Sequence, residues 1–592
     1  MNINERLDKL RALMAERGIT AYIEPTSDPH QSEYVADYYK GRDWISGFTG
    51  SAGTVVITKD EAILWTDGRY FIQAEKQISG SDFKLFKMNT PGYPTYMEWL
   101  ETKLKDGDSL GFNGKVFAQS LVEELEEELN DKNIVFIDEF DLIGEVWEGR
   151  PEIPCSKIFA LDTKYVGKSA KDKIKEVREY MLERGAYNFL LGSLDDIAWL
   201  YNIRGNDVLN NPVVISYALI SKEKANLFVD KKKVDDEVKG FLYDNGVEVQ
   251  EYNEIINFVE DIKESSKLIL AKDKINRWLY KAIPNNVSVI DEMNITTKLK
   301  GIKNSDEIKN QKIAYIKDCV ALVKYFHWID KNMGKVPLNE FSAQEKLLEF
   351  RQEQESFLEP SFSTISAYGE NAAMMHYSAS ADKNAEFKEE GLYLVDSGGQ
   401  YFEGTTDITR TVALGPITDE EKKDFTLTLK GHINLISARF LHGTSGHVLD
   451  ILSRYPLWQE GIDYKCGTGH GVGYLLNVHE GPHRFAVAPN NVALEKGMII
   501  TIEPGVYKEG KHGIRIENVV VVDEDIKTDS GQFMKFEVLS YCPIDLDCID
   551  ADMLLPNERE WLNNYHKEVY EKLSPYLSEE ERDWLKHETR SI

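Results

Sequence analysis

The sequence predicts an α/β (α+β) protein: two related α/β domains, then a larger mixed domain ending in a helical extension. Three observations predict it. The 592 residues exceed what one hydrophobic core supports, which points to about three domains. Residues 1–155 alternate strand-like and helix-like runs, and residues 156–305 repeat their order. Residues 391–518 contain two apolar, β-branched runs that fold back on themselves and carry carboxylates at matched positions.

The first domain opens on Ile3, Leu7, Leu10 and Met14, spaced for one face of a helix. ITAYIEP then reads as a strand, and GTVVITKDEAILWTD as two more. A helix is expected around 120–130, followed by the strand NIVFID. Asp67-Gly68-Arg69 reads as a turn closing a strand. RPEIPCSKI, with two prolines, marks a linker. Beyond it EVREYMLERG echoes KLRALMAERG, and PVVISYALISKEKANLFVD echoes GTVVITKDEAILWTD. Neither copy carries a metal-type cluster, so both are expected to pack, to dimerise and to shape the mouth of a site elsewhere. From 306 the charged NSDEIKNQKIAYIKDCVALVKYFHWI reads as a long amphipathic helix. The expected boundaries are 1–155, 156–305, 306–540 and a helical extension over 541–592, rich in Trp and Tyr.

The two hairpins carry the chemistry. In an antiparallel hairpin, partners share a constant index sum. A turn near Tyr401 and Phe402 sets Asp396 opposite Asp407. A turn at Gly510 sets Glu503 opposite Glu517. Carboxylates this close repel one another, and a cation between them is the simplest compensation. His470 sits in GTGHGVG, where the glycines allow backbone to approach closely. Four carboxylates and one imidazole make a hard site suited to Mn²⁺, Co²⁺ or Fe²⁺, or to Zn²⁺ with an open position.

Composition limits the alternatives. A net charge of −30 weighs against nucleic-acid binding, which needs basic surface. The amino terminus lacks a secretory apolar core, and no run is long and apolar enough to span a bilayer. Five scattered cysteines, an odd number without framework spacing, read as reduced thiols and a cytoplasmic home.

The ordered set Asp, Asp, His, Glu, Glu in DSGGQY, TTDITR, GTGHGVG, IEPG and RIEN resembles the pita-bread metallopeptidases. These include methionine aminopeptidase, prolidase, aminopeptidase P and the non-peptidase creatinase. GTGHGVG, LNVHEGP and IEPGVY most resemble the long, cytosolic type of aminopeptidase P, which has two creatinase-N-like domains before the catalytic one. The resemblance covers the whole chain and implies two divalent ions, manganese first, with cobalt or zinc as alternatives. Asp396 and Asp407 would hold one ion; Asp407, His470, Glu503 and Glu517 the other. It makes Glu503 the general base and sets His376 and His479 against the substrate. Arg515, two residues before Glu517, would orient a ligand carboxylate or bind substrate. It further implies a homodimer acting on peptides with proline at position 2. Many relatives have His where this chain has Cys466, a residue read as lining the site.

Three other functions compete. A prolidase would act only on Xaa-Pro dipeptides, and the chain length and C-terminal extension count against it. Creatinase lacks the full ligand set. A non-catalytic binding protein of the same fold would have lost Asp396, Asp407, His470, Glu503 and Glu517.

Overall fold

The opening periodicity is a helix. α1 (Ile3–Arg17) buries Leu7, Leu10 and Met14; an Asn2–Glu5 capping box starts it and Gly18, at φ 66°, ends it. The computed structural model describes residues 1–263 and 266–592, and the chain divides into two units, Met1–Thr297 and Lys298–Ile592.

The first unit contains two six-stranded sheets. One holds β1 (Ala21–Pro25), β2 (Thr54–Thr58), β3 (Ala62–Thr66), β4 (Phe83–Lys87), β5 (Ser109–Phe112) and β6 (Val135–Ile137) in the order 4-3-2-1-5-6. The other holds β7 (Asn188–Leu191), β8 (Ser216–Ser221), β9 (Ala225–Val229), β10 (Val247–Gln250), β11 (Lys267–Leu270) and β12 (Ser288–Asp291) in the order 10-9-8-7-11-12. Strand directions match position for position. In each, the central strand runs antiparallel to the next in sequence and parallel to the fifth. The internal echo in the sequence is therefore a repeated topology. The expected turn at Asp67 is present, with Arg69 closing on the Asp67 carboxylate at 2.8 Å.

The second unit is built around α2 (Ser305–Asn332), which carries Cys319, Val323 and Phe326 into one hydrophobic core. Tyr393 and Val395 from β13 (Leu392–Ser397) join that core. So do Leu562 and Val569 from α3 (Pro556–Leu573) and Leu585 from α4 (Glu579–Glu588). The extension is thus part of the core, and it is helical only from Pro556, with a short 3-10 turn at Ala551–Met553. Cys542 and Pro543, in the irregular stretch before it, instead offer carbonyls to buried Arg410, at 2.8 and 2.9 Å. Tyr565 of α3 also meets Arg410, at 2.8 Å. No helix of the described residues is long and apolar enough to cross a membrane.

Candidate metal centre

The first hairpin runs β13, β14 (Gly399–Tyr401), β15 (Gly404–Thr405) and β16 (Ile408–Ala413). Its turn falls at Phe402 and Glu403, so Asp396 lies opposite Thr409 and not opposite Asp407. The expected register was two short. A shift of two keeps side chains on the same face, so Asp407 becomes a diagonal neighbour of Asp396. Asp407 itself sits in the break between β15 and β16, where the hairpin bends. At that bend a Cβ on Gly398 would lie 1.9 Å from the Thr406 carbonyl, so only glycine fits.

The second hairpin has the expected register. β18 (Ile499–Ile502) pairs β21 (Asn518–Thr528) with Ile502 opposite Asn518, and β19 (Gly505–Lys508) pairs β20 (His512–Arg515) with Gly505 opposite Arg515. Both ladders share one index sum, and Glu503 and Glu517 face each other in the gap between them.

The two hairpins lock together beside the carboxylates. Glu517 N–H donates to the Thr409 carbonyl at 3.2 Å, and Arg515 N–H to Thr411 Oγ1 at 3.1 Å. His470 lies on a three-residue strand, β17 (Gly469–Gly471), where a loop was expected. A Cβ on Gly469 would meet the Thr501 carbonyl at 2.0 Å, so that glycine lets β17 lie against β18. His470 N–H donates to Thr501 Oγ1 at 3.0 Å, and Thr501 Oγ1 to Glu503 Oε1 at 3.1 Å.

The five residues converge. His470 Nε2 is 3.4 Å from both Asp407 Oδ2 and Glu503 Oε1. Ligating atoms of Asp407, His470 and Glu517 all lie within 4.8 Å of one another. His470 Nδ1 donates to the Gly471 carbonyl at 2.8 Å, which leaves Nε2 facing the carboxylates as the nitrogen a metal ion would take in place of a proton. Asp396 is held by Arg515, whose Nη2 donates to Oδ2 at 2.6 Å. Thr409 Oγ1 donates to Glu517 Oε2 at 2.8 Å and accepts from Arg515 Nε at 3.2 Å. That leaves Asp396 Oδ1 and Glu517 Oε1 buried without a hydrogen-bond partner.

Electrostatics describe the same demand. Burial, with His470 partly offsetting it and Asp396 adding to it, pushes Asp407 up to about 6. Burial and then Asp407, Glu503 and Asp396 push Glu517 well above the carboxylate range. Burial opposes charge on His470, yet Asp407 and Glu503 outweigh it and raise it to about 9. Each shift draws a positive charge into the cluster. Two buried carboxylate oxygens without donors, and an imidazole Nε2 whose proton a metal ion would replace, fit divalent cations.

The remaining expected residues lie around this cluster. The His479 ring stands edge-on to His470 with centroids 4.3 Å apart. His376 follows Met375, whose carbonyl receives Arg515 Nη2 at 3.5 Å, so its turn borders the Asp396–Arg515 pair. Arg515 is buried and spends its donors on Asp396, Thr409, Met375 and Tyr507, the last at 2.6 Å, leaving substrate binding poorly served. Cys466 is half-buried and packs in a small cluster with Leu457, Tyr464 and Tyr507. Sequence reasoning missed Tyr507 and Thr409. Thr409 was findable, being two residues from Asp407 on a β-branched strand. Arg515→Lys, which loses the planar fork, is expected to weaken metal affinity by about 10–100-fold. Metal titration of a folded variant checks it, and unchanged affinity would refute the orienting role.

This fold and centre define a metal-dependent hydrolase. The chain belongs to metallopeptidase family M24: that family's model matches residues 309–524, and the model for the C-terminal region of the same peptidases matches 532–592. Models of the creatinase/prolidase N-terminal domain match 6–143 and 149–307. The fold is accordingly two creatinase-N domains and a pita-bread domain with a helical extension. The chain is 41% identical to a probable Xaa-Pro aminopeptidase P of Laccaria bicolor, over 99% of this chain and 93% of that one. It is 38% identical to aminopeptidase P2 of Arabidopsis thaliana, over 100% and 89%. The crystal structure of the X-prolyl aminopeptidase from Caenorhabditis elegans, described as a cytosolic enzyme with a di-nuclear active site, matches with a TM-score of 0.96. It is 32% identical and each chain is covered in full.

Proposed function

We propose that this protein is an Xaa-Pro aminopeptidase, hydrolysing the bond between an N-terminal residue and a penultimate proline. The observation that carries it is the pair of buried, donor-less oxygens on Asp396 and Glu517 facing the His470–Asp407–Glu503 cluster. Relatives aligned over the full length and named Xaa-Pro aminopeptidase P favour this reading over a prolidase.

Asp396, Asp407, His470, Glu503 and Glu517 would hold two divalent ions, with manganese the proposed metal. Such ions supply an acidified water and polarise the scissile carbonyl. The chain's own residues do the rest. Glu503 takes the proton from the attacking water and returns it to the leaving nitrogen. Its Oε1 accepts from Thr501, which fixes the carboxylate's direction. His479 and His376 meet the substrate, and Arg515 holds Asp396 in place. A proline nitrogen carries no N–H, so the site must accept a tertiary amide, which schemes relying on that donor reject.

The test is release of the first residue from Arg-Pro-Pro and from Arg-Ala-Ala, with and without Mn²⁺. Mn²⁺-dependent cleavage of the proline peptide alone is expected. Hydrolysis of Ala-Pro without cleavage of Arg-Pro-Pro would establish a prolidase.

The domain division 1–155, 156–305, 306–540 and 541–592 is proposed on the same footing, supported by the matched ranges. Cytoplasmic residence is supported by the five free cysteines and the cytosolic relative. A homodimer is supported by Val448, Ile451, Tyr455 and Trp458, an exposed apolar stripe on the helix Gly446–Gln459. Tyr455→Glu is expected to halve the mass measured by sedimentation. A parent protein that sediments as a monomer would remove this proposal.

A further inference from the structure

The first unit contains a cleft that the hydrolytic site does not use. Its volume is about 1230 Å³, room for several residues of peptide. The topology explains its position. Asn113 and Lys115 follow β5, and Asp138, Glu139 and Asp141 follow β6. Across from them, Asp230–Lys233 follow β9, and Glu251 and Tyr252 follow β10. Both repeated sheets thus turn the carboxyl ends of parallel strands toward one space. In open α/β sheets that edge, beside the strand at which the strand order reverses, is where ligands bind.

The floor is built and rigid. His30 Nδ1 donates to the Gly192 carbonyl at 2.9 Å, so its Nε2 accepts from Tyr252 OH, also at 2.9 Å. Tyr217 OH donates to the Pro29 carbonyl at 3.2 Å, and Asn276 Nδ2 to the same carbonyl at 2.8 Å. These bonds join the two halves of the unit directly beneath the cleft, so the space is preformed. Four further observations describe what fits it. Tyr38, Tyr39, Tyr252 and Trp278 line it half-buried, with Arg150 over the Tyr38 ring at 3.7 Å and Lys115 over the Trp278 ring at 5.1 Å. Six carboxylates and six cationic side chains line it as well, so the cleft is neutral overall in a chain of net charge −30. Asp138 is neutralised by Lys281 at 2.8 Å and Asp141 by Arg150 at 2.6 Å. Glu139 and Lys115 on one wall, and Glu251, Lys231 and Lys232 on the other, form no ion pair among the described residues.

A polyanion would meet the carboxylates and a polycation the lysines. A molecule with one charge of each sign, separated by apolar or aromatic surface, meets neither penalty. We propose that this cleft is a second peptide site, binding short zwitterionic peptides through stacking on Tyr252 and Trp278, with their free termini against Glu139 or Glu251 and Lys231 or Lys232.

The test uses the full chain carrying Asp407→Ala, so that peptide is not turned over. The probe is a tetrapeptide with p-benzoylphenylalanine at position 2, cross-linked by light and mapped by mass spectrometry. Saturable labelling of fragments containing Tyr252 or Trp278 is expected, displaced by unlabelled Ala-Phe-Gly-Phe but not by its N-acetylated amide. In a Lys231→Glu, Lys232→Glu variant, both exposed positions, affinity at these fragments should fall about tenfold, as one lost ion pair in a partly desolvated site implies. Labelling confined to fragments from 365–520, equal displacement by the blocked peptide, or unchanged affinity in the folded double variant would each overturn the proposal.

Discussion

Asp407→Asn is expected to lower cleavage of Arg-Pro-Pro by about 10³-fold or more, roughly 4 kcal/mol of transition-state stabilisation, while raising the melting temperature of the metal-free protein. The two effects share one cause. Asp407 is buried, 3.4 Å from His470 and close enough to Asp396 and Glu503 to be pushed up to about 6. A carboxylate whose folded pKa lies above its unfolded value costs stability once ionised. That cost is absent below about pH 4, grows between about 4 and 6, and is on the order of 2–3 kcal/mol at pH 7.5. Cations remove the cost by pairing with the charge, and catalysis depends on those cations. The asparagine keeps the shape without the charge, so it relieves the metal-free protein and fails to hold metal. Metal content, activity and thermal midpoints with and without chelator measure all three. A variant that keeps two ions per chain, or that melts below its parent when both are metal-free at pH 7.5, would sink the assignment. Glu503→Gln should differ: as the proton acceptor it should lose about 10²–10⁴-fold in rate, with metal content less affected.

The catalytic geometry was legible in the sequence to differing depth, for physical reasons. The second hairpin could be read to the residue because Gly510, at φ 71°, fixes its turn and both ladders follow one register. The first could not, because FEG offers no such unique turn position and the strand bends at Gly398 and Thr406. Parity rescued the inference, since a slip of two leaves both aspartates on one face. The repeat within the first unit was visible as an ordered echo and proved to be one topology used twice. The cleft was invisible. Its lining runs from Pro29 to Lys281, and only the facing of two sheet edges brings those residues together. Glu480 was likewise unreadable: bound by Lys303 and 3.5 Å from Lys300, it anchors the strand after His479 through residues some 180 positions upstream.

The catalytic unit should lose stability steeply between pH 6.5 and pH 5, through three buried histidines outside the metal centre. Burial, reinforced by Arg410, lowers His432 and His566 to about 3, and burial lowers His483 to about 4. Each is therefore neutral in the folded protein and free to protonate in the unfolded chain at about 6.5. For a base depressed in this way, stability is whole above the unfolded value and falls as pH drops toward the folded one. The slope is about 1.4 kcal/mol per pH unit per group, so three groups cost about 6 kcal/mol at pH 5. That is comparable to the whole stability of many folded units, so the effect decides whether this one stays folded. The hydrogen bonds explain why the folded state refuses the proton. His432 Nδ1 donates to the Ile502 carbonyl at 3.2 Å and His483 Nε2 to the Ile499 carbonyl at 2.8 Å, while the opposite nitrogen of each is buried without a partner. His566 Nε2 accepts from Ile544 N–H at 3.1 Å, and a proton there would set two donors against each other. Suitable neutral replacements follow from these bonds: His432→Asn, His483→Gln and His566→Gln. Each variant should melt lower than its parent at pH 7.5 yet lose less between pH 7.5 and 5, shedding about one third of the combined histidine slope. The comparison is made with chelator in both proteins, so that metal affinity drops out of the difference. If all three variants kept the parent's full acid slope, the histidines would not be the groups that titrate, and the acid sensitivity would have to come from the carboxylates of the centre itself.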